Sequence, residues 1–104
     1  MAETQVYRRS VTVHSEHGLH IRPCTMLAQL AMKFQSRVRL SKGATSVDAK
    51  SILELMTLGA TAGTVLELEV EGIDAAVALE HIAALFETSF APVPAAAPQP
   101  AAAM

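Results

Sequence analysis

The sequence predicts an α/β domain of the α+β kind, in the order β-α-β-β-α-β-α. A four-stranded, mostly antiparallel sheet is covered on one face by helices, as a two-layer sandwich. Three observations predict it. Several short stretches alternate apolar and polar residues with period two, the mark of strands with one wet face. Two longer stretches repeat apolar residues at helical spacing, and such helices bury their stripe against the sheet. The chain has 104 residues, enough for one compact domain and not two. Hydrophobic residues make up 51% of it, although alanine supplies much of that. With only Tyr7, Phe34, Phe86 and Phe90 as aromatics, the predicted core is aliphatic.

The elements follow in order. Val11 and Val13 alternate with Ser10 and Thr12 as a first strand, and 15–18 form a loop. A helix is predicted from about Ile21 to Phe34, with Leu27, Leu30, Ala31 and Phe34 on one face. Val38 and Leu40 alternate with Arg37, Arg39 and Ser41 as a second strand. Lys42 and Gly43 turn the chain into a third, Thr45 to Asp48. Ser51-Ile52-Leu53-Glu54 has capping-box form, with Ser51 and Glu54 as reciprocal partners, and opens a short helix to about Thr57. Leu66, Leu68 and Val70 alternate with glutamates as a fourth strand. A last helix runs from about Asp74 to Thr88, burying Leu79, Ile82, Ala83 and Phe86 and turning Glu80, His81 and Glu87 outward.

Composition narrows the function. The formal net charge is −2 and no basic stripe or stacking platform is visible, which argues against nucleic acid as a partner. A lone cysteine, Cys24, leaves no internal disulfide and fits a reducing compartment. Met1 to Arg9 lacks the apolar run of a signal peptide, and no segment approaches membrane-spanning length. A cytoplasmic protein without membrane insertion is expected. The predicted domain covers 1–90, and 91–104, nearly all proline and alanine, reads as a flexible tail.

The chemistry concentrates in Gly18-Leu19-His20-Ile21-Arg22-Pro23. Proline is pre-organised for the first turn of a helix, so His20 stands at the helix mouth. Backbone N–H groups there point outward with partial positive charge and bind anions. A neutral imidazole nitrogen at such a place can attack phosphorus, and the phosphoryl group would sit among N–H donors and the Arg22 guanidinium. A helix start also disfavours added positive charge, which suits the neutral imidazole that attack requires. A cation such as Arg22 is misplaced there unless an anion joins it.

Cys24 lies four residues after His20, so the two could share a helix face. A Cys–His catalytic pair lacks a third orienting group, and a structural zinc site needs more ligands. His14 and His17 read as solvated loop residues, and Cys24 as a small packing residue. No metal and no bound cofactor are expected.

The Gly-Leu-His-Ile-Arg-Pro stretch resembles the active-site signature of the HPr family, the histidine-containing phosphocarriers of the bacterial phosphoenolpyruvate:sugar phosphotransferase system. A second stretch, Ala49-Lys50-Ser51-Ile52 followed by Leu58-Gly59, resembles the family's regulatory-serine segment, in the family's order and spacing. The resemblance runs from about Tyr7 to Glu87. Ile21 and Cys24 stand where alanine is commonest in the family, and Glu54 where many members carry a small or basic residue. The resemblance implies an HPr-like open-faced sandwich. It implies a stoichiometric carrier, not an enzyme, that accepts a phosphoryl group on His20 from phosphorylated enzyme I and passes it to enzyme IIA domains in sugar uptake. Arg22 then steadies the phosphate.

By the same resemblance Ser51 is a regulatory phosphorylation site, with an HPr serine kinase/phosphorylase and a transcription regulator as further partners. Ile52, Leu53 and Met56 belong to an apolar docking face. A two-turn helix cannot bury every side, so Leu53 or Met56 is expected to be partly exposed. A monomer is the family expectation. Two other readings compete. One is a regulatory paralogue, in a nitrogen-type phosphotransfer chain or as a serine-phosphorylated corepressor; retention of His20 argues against a pure corepressor. The other is a small ligand-binding or interaction domain without covalent chemistry, for which His20 would be incidental.

Overall fold

A computed structural model describes residues 5–91. Its elements are β1 (Val6–Thr12), α1 (Ile21–Ala31), β2 (Arg37–Lys42), β3 (Thr45–Asp48), α2 (Ile52–Thr57), β4 (Val65–Glu71) and α3 (Ala75–Glu87). The strands lie in the order β1-β4-β2-β3, and every pairing is antiparallel. The expected order and two-layer architecture are therefore present. The expected Pro/Ala tail lies, apart from Ala91, outside the described residues.

The period-two alternation sets the register. Leu66, Leu68 and Val70 of β4 face inward, opposite Val11, Arg9 and Tyr7 on one side, while Leu68 and Val70 meet Leu40 and Val38 on the other. Leu27, Ala28 and Ala31 of α1 join Leu79, Ile82, Ala83 and Phe86 of α3 in the same core. A fully buried Leu68 contributes about 1.5–3 kcal/mol by burial alone. The outer sheet face carries charges instead, with Arg8 bonded across strands to Glu69 at 3.1 Å.

Three boundaries differ from the sequence reading. β1 begins at Val6 rather than near Ser10, because Arg8 and Arg9 both find acidic partners. Arg9, on the helix side of this edge strand, reaches Glu80 of α3 at 2.7 Å. Val13 lies just past β1, yet it donates to the Thr64 carbonyl and accepts from the Gly63 N–H, so the pairing continues.

α1 stops at Ala31, short of Phe34. Lys33 and Phe34 donate to carbonyls three residues back, which tightens the chain into a 3₁₀-like turn. Spacings of three and four both keep Phe34 against the core, so periodicity alone did not mark the end. The next two N–H groups, of Gln35 and Ser36, are taken by the Asp74 carboxylate at 2.9 Å each. Gly72 closes over this junction at φ +150°, where a Cβ would lie 2.5 Å from Ser36 Oγ.

Candidate functional site

His20 is the N-cap of α1, extended at φ −94° and ψ −168°, and its side chain makes no capping hydrogen bond. Its ring is thus uncommitted at the helix mouth, and the residue is half-buried. The first turn holds no acidic residue of its own to neutralise the positive end of the helix dipole. Helix geometry leaves the N–H groups of Ile21 and Arg22 without intrahelical partners, and Pro23 has none to offer. Cys24 closes the first bond by donating to the His20 carbonyl at 3.0 Å.

The loop before His20 is fixed through its backbone. Gly18 donates to the Ser15 carbonyl at 3.0 Å, Leu19 to the Ala60 carbonyl at 2.9 Å, and His20 to the Gly18 carbonyl at 3.0 Å. Gly18 sits at φ +70°, and a Cβ there would lie 2.5 Å from the Ala60 carbonyl oxygen. Only glycine fits both the handedness and the close approach.

Arg22 is exposed and anchored across the molecule. Its Nη1 donates to the Phe90 carbonyl at 2.9 Å and lies 3.2 Å from the Met26 sulfur. Nη1 makes both contacts, so the remaining donors of the guanidinium stay available to an anion. The Phe90 carbonyl is presented by an unusual backbone: Ser89 and Phe90 both take positive φ, at +59° and +58°. Burial of the Phe90 side chain, edge-on to Phe86 with centroids 4.9 Å apart, offsets the strain of that turn.

Cys24 is fully buried, and its thiol donates to the Leu19 carbonyl at 3.6 Å. Burial pushes this thiol's pKa up, which disfavours the thiolate a catalytic cysteine needs. Its place is that of the small packing residue expected from the sequence. Among the described residues, no cluster of three or more His, Cys, Asp or Glu could hold a metal ion.

Ser51 caps α2 as read from the sequence, its hydroxyl accepting from the Glu54 N–H at 3.2 Å. The reciprocal half of the capping box does not form. Ser51 gives its N–H to the Asp48 carbonyl at 3.0 Å, so Glu54 instead accepts from the Asp48 N–H at 2.9 Å. The local turn satisfies the donor that the box would have used. Leu53 is 80% exposed and Met56 44%, whereas Ile52 is partly buried against the core. Ile21, at the mouth of α1, is also exposed. One groove of about 460 Å³ is lined by Gln35, Arg37, Asp48, Lys50 and Glu71, and none of the candidate residues lines it.

Two participants escaped the sequence reading. Phe90, beyond the last helix, holds Arg22 through a carbonyl that no side-chain pattern announces. His17, read as a solvated loop residue, is indeed exposed, but its ring stands edge-on to that of His20, with centroids 5.9 Å apart. The Gly18 turn between them was the available signal.

No helix among the described residues is long and apolar enough to cross a membrane. The family model described as "PTS HPr component phosphorylation site" matches residues 7–88. A phosphocarrier protein HPr from Haemophilus influenzae is 36% identical over 83 residues, covering 80% of this chain and 98% of that protein. One from Treponema pallidum is 39% identical over 82 residues, covering 79% of this chain and 93% of its own. The crystal structure of HPr-C-His from Thermoanaerobacter tengcongensis superposes with a TM-score of 0.79 at 33% identity, covering 85% of this chain and 99% of that one. A family match that spans both β1 and α3 takes in the histidine loop, the capped serine and the sheet between them, and the chain belongs to the HPr phosphocarriers of the phosphotransferase system.

Proposed function

We propose that this protein accepts a phosphoryl group on His20 from phosphorylated enzyme I and delivers it to enzyme IIA domains, in the cytoplasm. The observation that carries this reading is the uncommitted His20 ring at the mouth of α1, where no acidic residue occupies the anion-binding end. A ring nitrogen of His20 attacks phosphorus. An N–P bond forms at His20 while the N–P bond of the donor phosphohistidine breaks. The bonding pair stays with the donor ring, which takes up the proton that the His20 ring sheds from its other nitrogen. The N–H groups of Ile21 and Arg22, with the free guanidinium donors of Arg22, hold the transferred dianion. The helix start stabilises the phosphoryl group, and its exposure lets the next protein take it. Each copy carries one group per cycle, so the protein acts as a stoichiometric carrier.

Leu53 and Met56, exposed on α2, and Ile52 beside them form the docking face in this reading. Ser51 is the regulatory position: phosphate on its hydroxyl adds charge where α2 begins, which a helix start tolerates, and repels an acidic docking partner. The test is intact mass after incubation with enzyme I, magnesium and phosphoenolpyruvate. The parent gains one acid-labile, base-stable phosphate and His20→Ala gains none. An unmodified parent beside a demonstrably active enzyme I of the same organism would sink the carrier reading.

A further inference from the structure

The edge-on contact of His17 with His20 is built by the backbone. Two residues separate them, and both are fixed. Gly18 is pinned at φ +70° under the Ala60 carbonyl, and Leu19 is bonded to that same carbonyl at 2.9 Å. The His17 side chain is exposed. Arg22, the cation expected to serve the site, is turned toward the Phe90 carbonyl and the Met26 sulfur. His17 is therefore a protonatable side chain held directly against the reacting ring.

We propose that His17 is a second phosphoryl-binding residue, engaged as an imidazolium while His20 carries phosphate. This inference rests on the carrier reading of His20. With the two ring centroids 5.9 Å apart, a phosphoryl group on the His20 ring would come within reach of a charge-assisted N–H···O bond from His17. A dianion beside an imidazole favours its protonated form. No bond to phosphorus forms at His17. It takes one proton from solvent as the phosphoryl group arrives and returns it when the group leaves, so loading of the carrier is coupled to pH.

The other charged or titratable groups around the pair are few. His14 and Glu16 share its loop, and Arg22 belongs to α1. Glu87 of α3 lines a small cavity with His14. The 58–64 segment that packs on Gly18 contributes none. Of these, the ring of His17 is the one seated on the ring of His20.

The experiment uses the full chain, with His17→Gln and His17→Lys beside it, each phosphorylated by enzyme I, magnesium and phosphoenolpyruvate. The equilibrium constant for transfer to His20 is read by intact mass across pH 6 to 8. The parent is expected to exceed His17→Gln by about threefold to tenfold at pH 6, with the gap closing toward pH 8. His17→Lys, charged throughout, keeps the advantage without the pH dependence. Imidazole NMR resonances of His17 in the parent stay in their protonated positions to higher pH once His20 is phosphorylated. Parallel pH profiles for the parent and His17→Gln, both fully phosphorylated, overturn the inference and leave the carrier reading intact. An unphosphorylated parent overturns both.

Discussion

Asp74 and Ser36 are joined across the fold through two hydrogen bonds, and Gln35 gives a third to the same carboxylate. The Ser36 hydroxyl, the Ser36 N–H and the Gln35 N–H all donate to it, and Ser36 is fully buried. The link binds the start of α3 to the turn that follows α1. The Ser36 hydroxyl first, and the Gln35 N–H next, hold the Asp74 carboxyl below the usual carboxylate range. A depressed folded pKa means stability that is present above the unfolded value of about 3.9 and lost as pH falls through the lower folded value. The melting temperature of the parent should therefore drop faster below about pH 4 than that of Asp74→Asn, which should melt lower at pH 7. Thermal unfolding followed by circular dichroism from pH 2 to 7 decides it; parallel curves would remove this carboxylate from the acid response.

Gly18→Ala tests the loop that carries both histidines. The substitution meets positive φ and a 2.5 Å approach to the Ala60 carbonyl at once. A loss of about 1–3 kcal/mol in urea unfolding is expected, together with slower phosphorylation of His20. Gly43→Ala is the control, because nothing lies within 4 Å of its Cβ. Equal losses in the two variants would assign the whole effect to φ and none to the Ala60 contact.

Arg22 has two tasks that substitution separates. Arg22→Ala should lower stability by about 1 kcal/mol through the lost bond to the Phe90 carbonyl. It should lower the rate of phosphoryl transfer by about tenfold or more. Arg22→Lys should restore little of the rate, since an ammonium does not reproduce the guanidinium fork. Stopped-flow transfer kinetics beside urea denaturation read both tasks, and an unchanged rate in Arg22→Ala would take the guanidinium out of the phosphate site.

Leu53 and Leu55 sit two residues apart on α2 with opposite surroundings. Leu53 is 80% exposed and Leu55 fully buried. Leu53→Glu should leave stability within about 0.5 kcal/mol and weaken association with enzyme I. Leu55→Ala should cost about 2–5 kcal/mol through the cavity it leaves. Calorimetric titration with enzyme I and denaturant unfolding measure the two arms. Unaltered enzyme I binding by Leu53→Glu would move the docking face elsewhere.

The legible parts of this molecule are those with local causes. Alternation at Leu66, Leu68 and Val70 placed β4, and Ser51 placed the start of α2, because side-chain period and capping act within a few residues. The place of His20 at the start of α1 was legible because Pro23 marks the first turn locally too. What escaped depends on distant backbone. The end of α1 is drawn by Asp74, Glu54 was diverted to the Asp48 N–H, and Arg22 finds a carbonyl on Phe90. The His17–His20 contact follows from how Gly18 docks on Ala60, and no residue pattern in the loop states that partner.

Among the described residues β1 pairs only with β4, in unbroken register from Val6 opposite Glu71 to Thr12 opposite Val65. β4 is the sixth of seven elements in chain order. A nascent chain must therefore expose its first strand until nearly the whole domain has been made. The histidine loop hangs from that strand and is fastened to Ala60 and Thr64, which also emerge late. A translation product that ends before Ala60 thus lacks both the Ala60 and Thr64 anchors, and the histidine loop gains them only on chains whose synthesis has gone past Thr64.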